Sequence, residues 1–570
     1  MFLNPKFTSK TGYALMMVLV MTAVTSVMLA GAMSWAAQNT LTTARNNDHM
    51  RAVAAAEGAT EKILSSFSRD YQNGGEGLVY SKLASYATNV PNSSENSYWT
   101  NFTFTDAASN NNRTYVSRVS PTNYVLLQSQ YQGLMGMAAT YRVISNAKNN
   151  QGQFGIVAGV GQEIQVAEIP LFQFAIFYSM DLEINPGPNM NVTGRVHSNA
   201  GLYAQPQATL NFQADVTAVG NIVLGKKPGD PTSRTAGTVS FADEHDSGVS
   251  SMNLPIGTNN SPDAVHAVLD MPPAGELATS LMGKQRFYNK ADMVFIVSNT
   301  TVYAQTGNSV DSFATAIPKS DWSVFLNTNV SFFNKRENKT VKSVQIDVGK
   351  LKTWSTTNTV LRSKISRDVN NIYIADNRTQ TSSTEPGIRL VNGQDLPGAG
   401  LTVATPDPIY VQGHYNAPAA ALATTNTTAT KPASLLGDSI NILSTSWNDS
   451  NAGLAIGSRI AGNTTVNAAF LGGICVTTNS NYSGGVENFP RFLEDWGGKT
   501  LTYNGSMVVM FDSRVTTAPW GGSDVYSPPN RNWAFDLNFM DPTKLPPGTP
   551  QIFSLIRGRW ATIKPNVTTF

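Results

Sequence analysis

Gly12-Tyr-Ala-Leu-Met-Met-Val-Leu-Val-Met21 opens a stretch that stays mostly apolar through Ala37. No Asp, Glu, Lys or Arg occurs between Thr11 and Ala44. About 25 uncharged, mostly apolar residues suffice to cross a bilayer as a helix. The pattern then changes without stopping. Met50, Val53, Ala56, Ile63, Leu64 and Phe67 recur close to helical spacing in a more polar, Ala-rich segment. No proline occurs from Phe7 through Val90. These residues predict one long helix over 13–70. Its first part, 13–37, spans a membrane, and its second part lies outside.

Ahead of the helix, Lys6 and Lys10 form a short basic leader, which favours a cytoplasmic N-terminus. Gly12 separates this leader from the apolar run, and Tyr13 follows it. Basic leader, glycine, aromatic residue, apolar helix and amphipathic extension together resemble the N-terminal region of type IV pilin-like proteins. The run Ala54-Ala-Ala-Glu-Gly-Ala59 resembles the end of that helix in PilX-type minor pilins. The resemblance covers about the first 65 residues. It implies a leader over 1–12, cut by a prepilin peptidase between Gly12 and Tyr13. It also implies partners among pilus or pseudopilus subunits and assembly proteins. One departure matters. Major pilins carry a glutamate at the fifth mature position, where it neutralises the N-terminal amine of a neighbour in the filament. Here that position is Met17. A buried amine without a partner is costly. The departure resembles the general-secretion K pseudopilin, a filament-tip subunit, and implies that Tyr13 is never packed beneath another copy.

Two other readings of the segment stay open. It can be an ordinary single-pass anchor, left uncut at Met1. It can be a secretory signal, since Ala30-Gly-Ala32 resembles a small-residue cleavage site, which would leave Met33 first.

The chain has 570 residues, room for two or three domains or one elongated one. A net charge of +2, with 14% charged residues, gives no electrostatic case for nucleic acid. Cys475 is the only cysteine, so no internal disulfide and no CxxC metal site can form. It reads as a small core residue. Abundant Asn, Thr, Ser and Gly beside 41% hydrophobic residues describe a folded, β-rich exported body.

After a polar stretch over 71–110, strand signals begin. Thr114–Val119, Asn123–Gln128, Ala139–Ile144 and Phe154–Val166 are rich in β-branched and aromatic residues. They predict an antiparallel meander over 112–168, in a domain spanning 71–168, packed beside the outer half of the helix. Pro170–Tyr178 is apolar but too short to span a membrane, and opens a second domain. Then the sequence repeats. Asn191–Ala204 aligns without gaps on Asn211–Leu224, placing Val192 over Phe212, Val196 over Val216, Leu202 over Ile222 and Tyr203 over Val223. An offset of about 20 residues is the size of one coil of a parallel β-solenoid, although a pair of hairpins can produce the same match. Short β-like pieces return from Leu401 to Phe511, with Gly, Asn or Ser beside nearly all of them.

The expected fold is therefore mainly β with one long N-terminal helix. A pilin-like helix and meander lead into a parallel β-helix-like body over 170–515, with a mixed insertion at 230–385. Within the insertion Ser261–Lys284 reads as helical, and Asp292–Val297 and Val341–Ile346 as strands. Phe489–Trp496 reads as a short helix with Pro490 at an early position. The Pro-rich tail, 516–570, reads as irregular capping chain, because proline removes ladder donors. Ala175–Asn199, Ile409–Asn416 and Gly484–Trp496 resemble segments of the large extracytoplasmic bodies behind some pilin-like leaders.

Signals for chemistry are sparse. His49, His197, His245, His266 and His414 include no pair at metal-ligand spacing. His197 and His414 can meet if coils stack them, or can be polar coil corners. Asp243-Glu-His-Asp246 offers oxygens to a hard cation, or is a solvated loop. Glu487, Glu494 and Asp495 near Trp496 offer the carboxylates a glycan-cleaving enzyme needs, but adjacent Glu494 and Asp495 point apart on a helix. Lys335, Arg336, Lys339 and Lys342 read as a solvated hairpin face. No phosphate loop, nucleophile elbow or dinucleotide fingerprint occurs, and no cofactor or metal is implied. The expected function is a membrane-anchored structural subunit, in the inner membrane with its body extracytoplasmic. A tethered carbohydrate-active enzyme and an adhesin are the alternatives.

Overall fold

The computed structural model describes residues 11–307, 314–522 and 524–570. The leader residues 1–10, with Lys6 and Lys10, lie outside them. Helix α1 (Thr11–Ser81) runs past the expected end at 70 and into the stretch expected to be loop. Gly75 breaks its geometry, with φ 66° and ψ −165°, a conformation open to glycine and strained for other residues. A second short helix, Leu83–Ala87, follows.

Strands β1 (Phe102–Thr105), β2 (Tyr115–Leu126), β3 (Met135–Asn149) and β4 (Val157–Pro170) form an antiparallel sheet. The two strand signals at 114–128 are one strand, kinked by register shifts between Arg118 and Asn123. The sheet gains a member from the far end of the chain. Gln551–Ile563 pairs antiparallel with β4, Ile552 opposite Ile169 and Ile563 opposite Gly159. This corrects the expectation of an irregular tail. Pro528, Pro529, Pro542, Pro546, Pro547 and Pro550 all fall outside the two strands of the tail, Asn530–Phe535 and Gln551–Ile563, so no ladder donor is lost.

The sheet's two faces do different work, as the period-two alternation of strands requires. Ala139, Tyr141, Val143 and Ala147 of β3, with Ala158, Val160, Ile164 and Val166 of β4, face the helix. Ala138, Ala167 and Ile169 face the other way, into the large core of the body.

The body is built from parallel ladders. Met190–Val192, Thr209–Phe212 and Thr238–Phe241 form one; Leu182–Ile184, Leu202–Ala204 and Ile222–Val223 form another. Ile176–Tyr178, Val196–Ser198, Val216–Ala218 and His245–Ser247 form a third. The observed partners are those of the gapless sequence alignment: Val192 with Phe212, Val196 with Val216, Leu202 with Ile222, Tyr203 with Val223. Asn211 Nδ2 donates to Asn191 Oδ1 at 2.9 Å across the same step of 20 residues.

The third ladder continues into a 12-stranded sheet, because Ile176–Tyr178 also pairs in parallel with Met507–Asp512. Beyond it come Ala469–Ile474, Ala433–Leu436, Leu401–Ala404, Asn371–Asp376 and Met293–Val297, all parallel. Strands among the residues read as an insertion therefore join the sheets of the body. Met293–Val297 and Asn371–Asp376 extend the main, 12-stranded sheet, and Lys339–Asp347 and Thr384–Val391 extend a neighbouring six-stranded one. Of the expected helix over 261–284 only Pro262–His266 and Leu281–Gln285 form, with Pro272 and Pro273 breaking the span between them. The expected helix at 489–496 is a 3-10 turn, Val486–Asn488, then strand Arg491–Phe492, whose backbone pairs with Asn441 and Ile442.

Candidate functional site

Within α1 the two halves have opposite surroundings. Every described residue from Tyr13 to Leu41 is exposed. Tyr13 is 77% exposed, Met17 68% and Trp35 69%, so the apolar helix has no packing partner among the described residues. Among the described residues this is the one helix long and apolar enough to cross a membrane, with a mean hydropathy of 2.1 over its best window. From Tyr13 to Ala37 it rises about 37 Å, against a hydrocarbon core of about 30 Å. Its hydroxyls do not interrupt it. Thr22 donates to the Val18 carbonyl at 2.8 Å, and Thr25 donates to that of Met21. A hydroxyl bonded back to its own helix needs no water.

The first buried residue is Asp48, whose Oδ1 accepts from Asn149 Nδ2 at 3.0 Å. From there α1 lies on the sheet. Ala52, Ala55, Ala56 and Ala59 let the backbone come close, and Gly58 closer still. A Cβ there would stand 3.0 Å from the Trp99 ring. Ile63, Leu64, Phe67 and Tyr71 then fill the wider gap, with Phe67 edge-on to Tyr141 at 5.2 Å and Tyr71 stacked on Phe553 at 4.3 Å.

The residues singled out for cleavage and filament packing sit at the exposed end. Gly12 and Tyr13 lie in the first residues of α1. Met17 is one turn further and exposed, with no acidic residue in the first turn.

The remaining candidates are scattered. His197 is fully buried. Its Nδ1 meets Thr217 Oγ1 at 2.8 Å, its Nε2 meets Asn199 Oδ1 at 3.0 Å, and its ring stacks on Phe177. Burial pushes its pKa down to about 4, so it is neutral. His414 is elsewhere and accepts from the Thr465 amide through Nδ1. The two are not brought together. Asp243, Glu244, His245 and Asp246 are exposed, and His245 stacks on Phe241. Among the described residues no group of three His, Cys, Asp or Glu is placed to hold a metal ion.

Glu487 and Glu494 are buried, and burial raises both to about pKa 7. Glu487 accepts from the Asn185 amide at 3.1 Å, and Glu494 from the Ser444 amide and hydroxyl, both at 2.6 Å. These carboxyls bind backbone from distant segments and do not face a common open space. Asp495 is a third environment: bonds from Ser527 and the Gly497 amide hold it below the ordinary range. Lys335, Lys339 and Lys342 lie on a real hairpin, Leu326–Asn334 with Lys339–Asp347. Arg336 departs from that solvated face and lines a cavity with half-buried Cys475.

One feature escaped the sequence. Asp376, Asp407 and Asp438 recur at a step of 31 residues, the first at the end of a strand of the main sheet and the other two just after one. Asp407 Oδ2 accepts the Asp376 amide at 2.8 Å. Burial, with the Asp376 and Asp438 charges, raises Asp407 to about pKa 8. The Asp438 carboxylate accepts the amides of Val515 and Thr516 at 3.1 and 3.0 Å. The recurrence of aspartate at that step was the available signal.

No protein family and no curated protein matches this sequence. Among solved structures, the competence-associated pilin ComZ from Thermus thermophilus is similar at 10% identity and a TM-score of 0.31. The match covers 90% of this chain and 97% of that one. At that score the likeness is too weak to assign a family.

Proposed function

We propose that this chain is a pilin-like, membrane-anchored structural subunit, a minor or tip component of a type IV pilus or a type II secretion pseudopilus. The observation that carries the reading is the division of α1. One continuous helix presents a bare apolar rod, then an alanine-lined face docked on an antiparallel sheet. The rod suits a bilayer, and equally the apolar core of a filament. In this reading a prepilin peptidase cuts between Gly12 and Tyr13. The N-terminus starts in the cytoplasm and the body stands outside the inner membrane. The parallel ladders are coils of a β-helix-like body that works by shape, without catalysis.

Met17 and the bulk of the body support a tip position. A methionine offers no charge to a neighbour's amine. A body of roughly 500 residues is several times an ordinary domain and would crowd a helical shaft.

Sequencing the N-terminus of the mature protein is the primary test. Tyr13 as first residue is expected; Met33, or an uncut Met1, overturns the processing step. Co-purification tests the partner. Wild type is expected to bring down pilus or pseudopilus subunits, and Met17→Glu to shift the protein from the tip into the shaft. If neither form ever captures such a subunit, the filament role is lost.

A further inference from the structure

A small cavity lies where three distant parts of the body meet. Tyr178 and Glu183 reach it from the first ladders, Arg336 from the hairpin turn, Cys475 and Ser483 from a loop between later strands, and Arg491 from the short strand Arg491–Phe492. Its volume of about 20 Å³ holds one compact guest. Three buried polar atoms on its lining residues have no hydrogen-bond partner among the described residues: Tyr178 Oη, Glu183 Oε2 and Arg336 Nη1. Tyr178 is 2% exposed and Glu183 4%. Unpaired polar atoms this deep are costly and rare in a folded protein.

The two guanidiniums are not equivalent. Arg491 donates to Glu337 Oε1 at 2.6 Å and to the carbonyls of Thr516 and Ala518. Arg336 donates Nε to the Pro519 carbonyl at 3.2 Å, and among the described residues it has no carboxylate within ion-pair distance. Glu337 is the acid beside both, and its other oxygen accepts the Ala518 amide. Burial first, and the Arg491 charge second, push Arg336 down to about pKa 9, so it stays cationic at neutral pH. A half-buried cation whose Nη1 is buried and unpaired, with a second cation beside it and one shared, already bonded carboxylate, lacks an anion.

We propose that this cavity binds a small monovalent anion, a halide or a single carboxylate group, held by Arg336 Nη1 and Tyr178 Oη beside Arg491. Arginine suits this role because its planar fork keeps its charge in any surroundings. Glu183 limits the guest. Asp181 lines the cavity as well. Two carboxyls in the lining disfavour a dianion such as sulfate. The site is independent of the filament reading.

Cys475 makes the proposal measurable. It is the only cysteine in the chain and lines this cavity, so the rate of its alkylation by a neutral maleimide reports on this place alone. The experiment uses the full-length protein in detergent, with chloride or acetate exchanged for sulfate at constant ionic strength. Chloride and acetate are expected to slow alkylation several-fold with a saturating profile, and sulfate not to. Arg336→Gln abolishes the chloride response. Tyr178→Phe, which keeps the ring in its packing, moves the midpoint several-fold higher and serves alone if Arg336→Gln does not fold. Equal rates in chloride and sulfate, as for a cavity holding water alone, overturn the site. So does a full chloride response in both variants.

Discussion

The two halves of α1 share a backbone and differ in what their surfaces meet. From Tyr13 to Leu41 the side chains are exposed and mostly apolar, many of them large. From Asp48 to Tyr71 the contacting ones are mostly alanine, widening to Ile63, Phe67 and Tyr71 where the sheet recedes. An apolar helix without a partner implies a solvent other than water, since monomers rarely leave such a patch bare. A small-residue face implies a fixed protein partner, because only short side chains let a helix lie close on a sheet. The difference is therefore between a surface that accepts any apolar medium and one that fits a single neighbour.

The strongest test of this division lies in the docked half. Phe67 is completely buried between Tyr86, 4.5 Å away ring to ring, and Tyr141. Phe67→Ala is expected to cost about 3–5 kcal/mol of body stability, read by denaturant unfolding, with membrane partitioning unchanged. The exposed half reverses that pattern. Leu19→Lys is expected to cost about 3 kcal/mol of membrane insertion, read by fractionation of cells, while the near-ultraviolet circular dichroism of the body stays as it was. If both substitutions weaken both properties, the helix is not divided in this way.

How much of this was legible beforehand follows the same line. Local, dense signals survived. The apolar run gave the rod, and the 20-residue repeat gave the register of three ladders residue by residue, because parallel pairing sets like positions side by side. Sparse or distant signals did not. Gln551–Ile563 pairs with a strand nearly 400 residues away, and flanking prolines masked it. Met293–Val297 was recognisable as β-like and Asn371–Asp376 went unnoticed, and their membership of the main sheet depends on pairings across more residues than the 20-residue step. For the polar cavity, Arg336 was read as part of a charge run. Its meeting with Tyr178 and Cys475 exists only after three segments have folded together.

Protonation also separates the halves. The exposed half has no titratable side chain from Met16 to Ala44. In the docked half Asp70 accepts from Tyr86 Oη at 2.8 Å and pairs with Lys82 at 3.0 Å. Burial works to raise its pKa, but the bonds from Tyr86 and Lys82 outweigh that and hold it below the ordinary value. A carboxyl whose folded pKa is depressed stabilises the fold above its unfolded pKa, and that stability is lost as pH falls through the folded one. The unfolding temperature of the body is thus expected to drop by a few degrees as pH falls below about 4. Asp70→Asn should lower it at neutral pH and flatten this part of the profile. An unchanged acid limb in the variant would assign it to other carboxyls.

The smallest expected effect lies at the rim of the docked face, where Arg557 of the C-terminal strand forms a two-pronged pair with Glu61 of α1. Both side chains are about half exposed, 55% and 41%. The pair looks like a clasp between the first and last segments of the chain. An exposed pair gains little, because water and salt screen it and two long side chains must be held still. Glu61→Gln is expected to change stability by less than about 0.5 kcal/mol, with the difference vanishing at high salt. A loss several times larger, insensitive to salt, would mean that the helix is held at its edge by charge as much as beneath it by Ala56, Ala59 and Phe67. The fit of small side chains to the sheet would then no longer account for the docking.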